Sequence, residues 1–411
     1  MNRNRKAVLL GVLTLLIGFS LIGSYSKKGM CQAPPIRLGV IGPLSGVHAP
    51  GAKSVLAANE IAAEEFNKAG GILGRKIELL SRDDQGKPET SARMAKELIE
   101  RHKVTAIVGP LISHCTLATI SVTNEYNVLQ ITGGSNAETL VVQAFKRNYF
   151  QVCPNSYMEA RAQMRVVVDD PQLKTYALLC SDFEWGRTFA TFAKQILAKE
   201  RPDMKLVGEW WPPYGESQFT GYITAILTAK PDCIISALGP FPPFAKQAKM
   251  YGLFEKMKVL GSLFITETMA LGKETPEGIY SINRGPFYFM KGPKMMAFSE
   301  KYIKKEGNYP DEFSMMTYDA FHALMDGIKK ANSFETSAII EAMENMTFDT
   351  CSGKRYFRKV DHQMNSPLYT GVTTYVPEYP FAVMKNIKII KAEDTWRSPE
   401  EILKLREAAK K

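Results

Sequence analysis

The chain has 411 residues, 45% of them hydrophobic and 23% charged, which supplies apolar material for two ordinary domains and excludes a disordered or low-complexity protein. The formal charge is +10, but Arg3, Arg5, Lys6, Lys27 and Lys28 all fall within residues 1–33, which hold no acid. The other basic residues are scattered, with no basic helix interleaved with aromatics and no zinc-finger spacing, so no nucleic-acid partner is expected.

The elements begin with "MNRNRKAVLLGVLTLLIGFSLIGSYS". A short basic start precedes an apolar run from Ala7 to Gly23, and small residues follow at Ser24 and Ser26. This is the layout of an export signal. A retained anchor is the rival, because the run is near the lower length limit for a spanning helix. Lys28-Gly29-Met30 is a poor match to the small, apolar residues that precede a lipidated cysteine, so Cys31 is not read as a lipid site. Residues 1–33 are expected to be signal peptide and linker, and the mature protein to be periplasmic. Export permits disulfides. Cys115, Cys153, Cys180, Cys233 and Cys351 are widely spread and include no CxxC, so no metal or cofactor is expected. Cys180 and Cys233 end apolar runs and read as small buried residues. A pairing involving Cys115, Cys153 or Cys351 stays open.

After residue 35, strand and helix patterns alternate. "IRLGVIG" reads as a strand that stops at Gly42-Pro43. "AKSVLAANEIAAEEFNK" is helical, with Gly70-Gly71 ending it. "RKIELLSRD" is a strand, "KPETSARMAKELIERHK" a helix, "VTAIVGP" a strand, "CTLATISVTNEY" a helix and "NVLQIT" a strand. The alternation repeats in "KTYALLCSD", "WGRTFATFAKQILAKE", "MKLVGEWW", "FTGYITAILTAK", "PDCIISALG", "PPFAKQAKMYG" and "KVLGS". Such βαβ units build mainly parallel sheets with helices on both faces. The fold class is α/β, with two similar doubly wound lobes. In such sheets a ligand sits beyond the carboxyl ends of the strands. The loops there are "GPLSGVHAPG", "GPLISHC", "TGGSNAE", "CSDFEWG" and "ALGPFPP". Helix N-termini behind them suit a carboxylate.

These residues resemble the periplasmic solute-binding proteins of ABC transporters, of the leucine/isoleucine/valine-binding type. The stretches that carry the resemblance are "IRLGVIGPLSG", "NKAGGILGRKIELLSRDDQGKPE", "AIVGPLISHCTLA", "FTGYITAILTAKPDCIISALG" and "DHQMNSPLYTGV". The resemblance implies a two-lobed clamp whose chain crosses between lobes three times and which closes over a ligand in the cleft. It places one lobe at 34–153 and 283–345, the other at 154–282 and 346–392, and a helical tail at 393–411. The implied partners are a small carboxylate and the membrane subunits of an ABC permease, with the receptor a monomer.

The resemblance also implies site residues. Ser113 falls where the family meets the ligand's carboxylate, the alternative being a simple helix cap. Gly134, Ser135 and Asn136 fall in the second such loop. Trp185 stands where the family has a Tyr lying over the ligand; core packing is its alternative. His48 and Phe241 fall near positions that shield the ligand's side chain. Amino-acid binders place an acid in the fifth loop to pair with the α-ammonium; the matching position here is Leu263, with Glu267 one turn later. An aromatic or hydrophobic acid without an amine is therefore expected, and a branched-chain or aromatic amino acid is the alternative. A ligand sensor for a signalling partner keeps the same fold. Catalysis would need a pair such as Cys115 with His48 and is not expected. "EWWPPYGESQF" reads as a packed corner, "TYDAFHALMDGIKKA" as a core helix, the methionines at 290, 295, 296, 315 and 316 as gap-fillers, and "SPEEILKLREAAKK" as an exposed helix.

Overall fold

The first sheet is wholly parallel. Its strands are β1 (Ile36–Gly42), β2 (Ile77–Asp83), β3 (Ala106–Val108), β4 (Leu129–Thr132) and β5 (Tyr149–Gln151), in the order β2-β1-β3-β4-β5. The helices α1 (Ala49–Lys68), α2 (Pro88–Glu100) and α3 (Ser113–Glu125) connect them. β1 and β3 are apolar on both faces because helices cover both sides of the sheet. These coordinates are a computed structural model that describes residues 33–46, 48–261 and 263–410. All but the last of the expected signal residues lie outside that range. Among the described residues, no helix is long and apolar enough to cross a membrane.

The chain passes from β5 through α4 (Ser156–Val168) into a second sheet. There β6 (Thr175–Cys180), α5 (Glu184–Glu200), β7 (Lys205–Trp210), α6 (Thr220–Ala229), β8 (Cys233–Ala237), α7 (Pro242–Met250) and β9 (Lys258–Gly261) alternate as expected, and α8 (Ile265–Leu271) and β10 (Tyr280–Asn283) extend the alternation by one more unit. The chain then returns to the first sheet, where α9 (Pro293–Glu306), α10 (Glu312–Ala331) and α11 (Thr336–Glu344) join its core. The short pair β11 (Thr347–Thr350) and β12 (Gly353–Tyr356) follows. A last passage leads to β13 (Leu368–Thr374) and β14 (Val383–Ile390), which add to β10 as antiparallel strands. The second sheet thus has seven strands in the order β14-β13-β10-β9-β8-β6-β7.

In α10, Tyr318, Phe321 and Leu324 are buried, as the helical spacing requires of a core face. Met290, Met295, Met315 and Met316 fill the same core, whereas Met296 is 57% exposed. The five described cysteines are all free and buried, so the open question of a pairing among Cys115, Cys153 and Cys351 is answered against one.

The tail is a largely exposed, charged helix with a narrow apolar stripe, as expected, and that stripe docks on the first lobe. In α12 (Pro399–Ala408), Ser398 and Glu401 exchange side chain-to-backbone hydrogen bonds in a capping box. Ile402 is buried against Ile120, Leu140 and Val141, and Arg406 donates to the carbonyls of Val141 and Val142 at 2.9 and 3.0 Å. One buried isoleucine and an Arg clamp suffice to dock a helix whose other faces are charged. Ile402→Ala is expected to cost about 2–4 kcal/mol, measured as a lower urea midpoint.

Candidate functional site

Both sheets change direction between adjacent strands, β1/β3 in the first and β6/β8 in the second. Loops leaving such strands diverge and open a crevice. The two crevices face each other and enclose a cavity of about 300 Å³. All five loops named from the sequence border it: His48 and Pro50 after β1, Ile112 and Ser113 after β3, Gly134 and Asn136 after β4, Phe183 and Trp185 after β6, Gly239 and Pro240 after β8. The volume is at the low end for ligand sites and suits one small molecule.

A buried ionic cluster forms one end. Glu159 on α4 is fully buried. Its Oε1 accepts from Arg284 Nε at 2.5 Å; its Oε2 accepts from Asn136 Nδ2 at 2.8 Å and Trp185 Nε1 at 3.0 Å. One carboxylate thus ties together the ends of β4 and β10 and the first turn of α5. The Arg284 guanidinium lies 4.8 Å from the Phe264 ring and 5.7 Å from that of Phe313. Its Nη groups make no hydrogen bond to any described residue, and the side chain borders the cavity.

Ser113 is the first residue of α3, and Ile112 holds the cap position, so the capping alternative does not hold. Ser113 Oγ accepts the backbone N–H groups of Asn136 and Ala137 at 3.3 and 3.2 Å, which leaves its own proton for a ligand. A Cβ at Gly134 would lie 2.3 Å from Leu111 Cδ1, so any side chain there would displace that leucine in the cavity wall.

The opposite end joins the two lobes. His48 Nδ1 and the Tyr214 hydroxyl are hydrogen-bonded at 2.9 Å, and the rings stack with centroids 4.5 Å apart. Burial and nearby His114 push the His48 pKa down to about 4, so the ring is neutral at neutral pH. Burial and Glu267 raise that of Tyr214, which keeps its proton. Glu267 accepts the N–H groups of Phe241 at 3.0 Å and Phe264 at 3.1 Å, and burial pushes its carboxyl up to about 7 despite those bonds.

Of the expected site residues, His48, Ser113, Gly134, Asn136 and Trp185 border the cavity and come together. Three do not. Ser135 points inward to Thr116 Oγ1 and the Pro110 carbonyl, at 2.5 and 2.9 Å. Phe241 and Leu263 are buried in the core beneath the second sheet's loops, because a strand end turns alternate side chains inward. Phe264 takes the cavity position instead of Leu263, and Glu267 supplies an acid to the fifth loop after all. Arg284, Glu159, Tyr214 and Phe313 were not singled out from the sequence. The available signal for Arg284 was "NRGP", a Gly-Pro stop just past a strand like those in "IVGP" and "ALGP". Tyr214 lay in the stretch read as a packed corner.

The Cys115–His48 pair that catalysis would need is not formed. Cys115 is buried, and burial pushes its thiol up to about 12. His48 faces Tyr214, and His114 Nε2 faces the Gly86 carbonyl at 3.1 Å.

A family profile described as "Periplasmic binding protein" matches residues 35–373. The chain belongs to the periplasmic binding protein family. This binding protein is 24% identical over 349 residues to the leucine-, isoleucine-, valine-, threonine- and alanine-binding protein of Pseudomonas aeruginosa, covering 84% of this chain and 91% of that one. It is 27% identical over 328 residues to the Leu/Ile/Val-binding protein BraC3 of Rhizobium johnstonii, covering 78% and 86%. Its fold matches that of a periplasmic binding protein of Burkholderia mallei with a TM-score of 0.81 at 21% identity, covering 89% and 97%. It matches a solute-binding protein of Rhodopseudomonas palustris in complex with 3,4-dihydroxy benzoic acid at 0.79 and 20% identity, covering 89% and 99%. A second such protein of R. palustris, in complex with benzoate, matches at 0.77 and 18% identity, covering 87% and 97%. This is a binding protein of the ABC transporter type, and members of the family are extracytoplasmic, take small-molecule ligands and work with permease subunits. The homologues are solute-binding proteins, not enzymes.

The lobes of this binding protein are also tied through Glu312, on α10. Its Oε2 accepts the Ile265 N–H of α8 at 3.1 Å, while Oε1 has no partner among the described residues. Burial and the adjacent Asp311 hold the Glu312 carboxyl well above the ordinary glutamate value, against the opposing pull of Arg284. The folded protein therefore keeps a proton that the unfolded chain releases. That stability is complete below the ordinary value and is lost as pH rises through the raised one. Glu312→Gln is expected to gain stability relative to the parent between pH 6 and pH 9, measured by urea unfolding at each pH. Glu159→Gln, which leaves Arg284 buried without its counter-charge, is expected to cost about 3–5 kcal/mol in the same assay.

Proposed function

We propose that this protein is the periplasmic receptor of an ABC importer for a small aromatic or hydrophobic carboxylate. The observation that carries the reading is Arg284, a buried cation that borders an aromatic-walled cavity and whose Nη groups make no hydrogen bond to any described residue. A carboxylate placed there meets a charge held in position by Glu159, beside the Ser113 hydroxyl and the N-terminus of α3. Trp185, Phe183, Phe264 and Phe313 supply apolar faces for the rest of the ligand. The fold accommodates such acids, since the two R. palustris proteins hold benzoate and 3,4-dihydroxy benzoic acid. Export to the periplasm and docking to a permease follow from the family and from the signal-like start of the chain.

The mechanism is closure, with no bond chemistry. A ligand that touches both lobes favours the closed arrangement by its differential affinity for it. The second reading is an α-amino acid, favoured by Glu267 in the wall and by the curated relatives. Against it, burial raises the Glu267 carboxyl to about 7, which leaves only part of the population charged at neutral pH to pair with an ammonium.

A thermal-shift panel on the full chain decides between them. Benzoate and phenylacetate are expected to raise the melting temperature, since a ligand at a hundred times its Kd adds about 2.7 kcal/mol. Leucine and phenylalanine are expected to leave it unmoved; stabilisation by them alone would make Glu267 an ammonium partner. Arg284→Gln is expected to weaken benzoate binding by about 30-fold or more, read by isothermal titration, with unliganded melting as the folding control.

A further inference from the structure

The cavity has two polar ends, and only one is accounted for by a carboxylate. Glu159, Arg284, Asn136 and Ser113 make the first. The second, formed by His48, Tyr214 and Glu267, is linked to it through the aromatic wall: Trp185, which bonds Glu159, lies 6.0 Å from Phe183, and Phe183 4.9 Å from Tyr214, ring to ring. The electrostatics divide between the two ends. Glu267 acts on Tyr214, whereas the carboxylates that act on Arg284 are Glu159 and Glu312.

The second end can both donate and accept. His48 is neutral and Tyr214 keeps its proton, so in either imidazole tautomer the pair shares one proton in its hydrogen bond and presents one free donor and one free acceptor. Beyond this bond, neither the imidazole nor the phenol has a hydrogen-bond partner among the described residues, and both side chains border the cavity. The Tyr214 oxygen keeps lone pairs to accept with, and Glu267 adds a carboxyl beside it. An aliphatic or unsubstituted aromatic tail placed here would strip these groups of water and give nothing back.

Accepting the carboxylate reading of the site, we infer that the ligand carries a hydroxyl at the end of its ring remote from the carboxylate, and that His48, Tyr214 and Glu267 are the residues that select for it. The hydroxyl donates to the free acceptor of the His48–Tyr214 pair or to Glu267, and accepts from the pair's free donor. Since His48 follows β1 of the first lobe and Tyr214 follows β7 of the second, hydroxyl recognition and closure use the same contact.

Isothermal titration of the full chain with 4-hydroxybenzoate, 4-methylbenzoate and benzoate tests this. The methyl compound matches the hydroxyl compound in shape but cannot hydrogen-bond. The expected result is about tenfold or greater preference for 4-hydroxybenzoate over 4-methylbenzoate, falling to within about threefold in Tyr214→Phe and in Glu267→Gln. Two variants are used, and unliganded melting is the folding control for each. Equal affinity for the two substituted acids in the parent protein, or a preference that persists in both variants, overturns the inference and leaves the carboxylate site standing. Failure of all three acids to bind overturns the carboxylate reading itself, and the inference with it.

Discussion

Three of the residues that border the cavity, Arg284, Asn136 and Trp185, are held by the single buried carboxylate of Glu159. Removing an ion from water is expensive, and Glu159 tolerates it because its oxygens are saturated by a guanidinium, an amide and an indole N–H. The consequence is geometric as well as energetic. Residues from β4, α5 and β10 cannot drift relative to one another without leaving a charge uncompensated. The guanidinium can therefore wait, already desolvated and oriented, for an anion.

The rest of the site is arranged around the junction of the two lobes. His48–Tyr214, Glu312–Ile265 and Thr139–Glu184 each take one partner from either side. Contacts of this kind exist only when the lobes are together, so they set the free-energy difference that a ligand has to supplement. They differ in chemistry. Glu312 supports closure as a buried carboxyl, His48–Tyr214 as a neutral stacked pair within reach of the ligand, and Thr139–Glu184 as an exposed bond that contributes little.

Much of this was legible in the residues. The period of the apolar pattern located most of the βαβ units, and the stops at Gly42-Pro43, Gly109-Pro110, Gly133-Gly134 and Gly239-Pro240 marked loops that reach the cavity. Ser113, Asn136, Trp185 and His48 followed from those loops. Leu263 and Phe241 did not. Side chains alternate at a strand end, so a shift of one residue exchanges the cavity face for the core, and Phe264 stands where Leu263 was expected. Arg284 and Glu159 escaped notice because they lie 125 positions apart in the chain. A buried ion pair leaves no local periodicity to read.

By itself, the sequence determined the α/β class, the two doubly wound lobes, the family and the loops that would carry a ligand, because backbone hydrogen bonding and apolar spacing are local properties that repeat along the chain. The tertiary structure alone decided which side chain of each loop faces the cavity, that Glu267 and not Leu263 is the fifth loop's contribution, and that a terminal helix with one buried isoleucine docks on the first lobe. Those outcomes depend on where distant segments meet. Desolvation and charge pairing act through space, and no spacing rule along the chain encodes them.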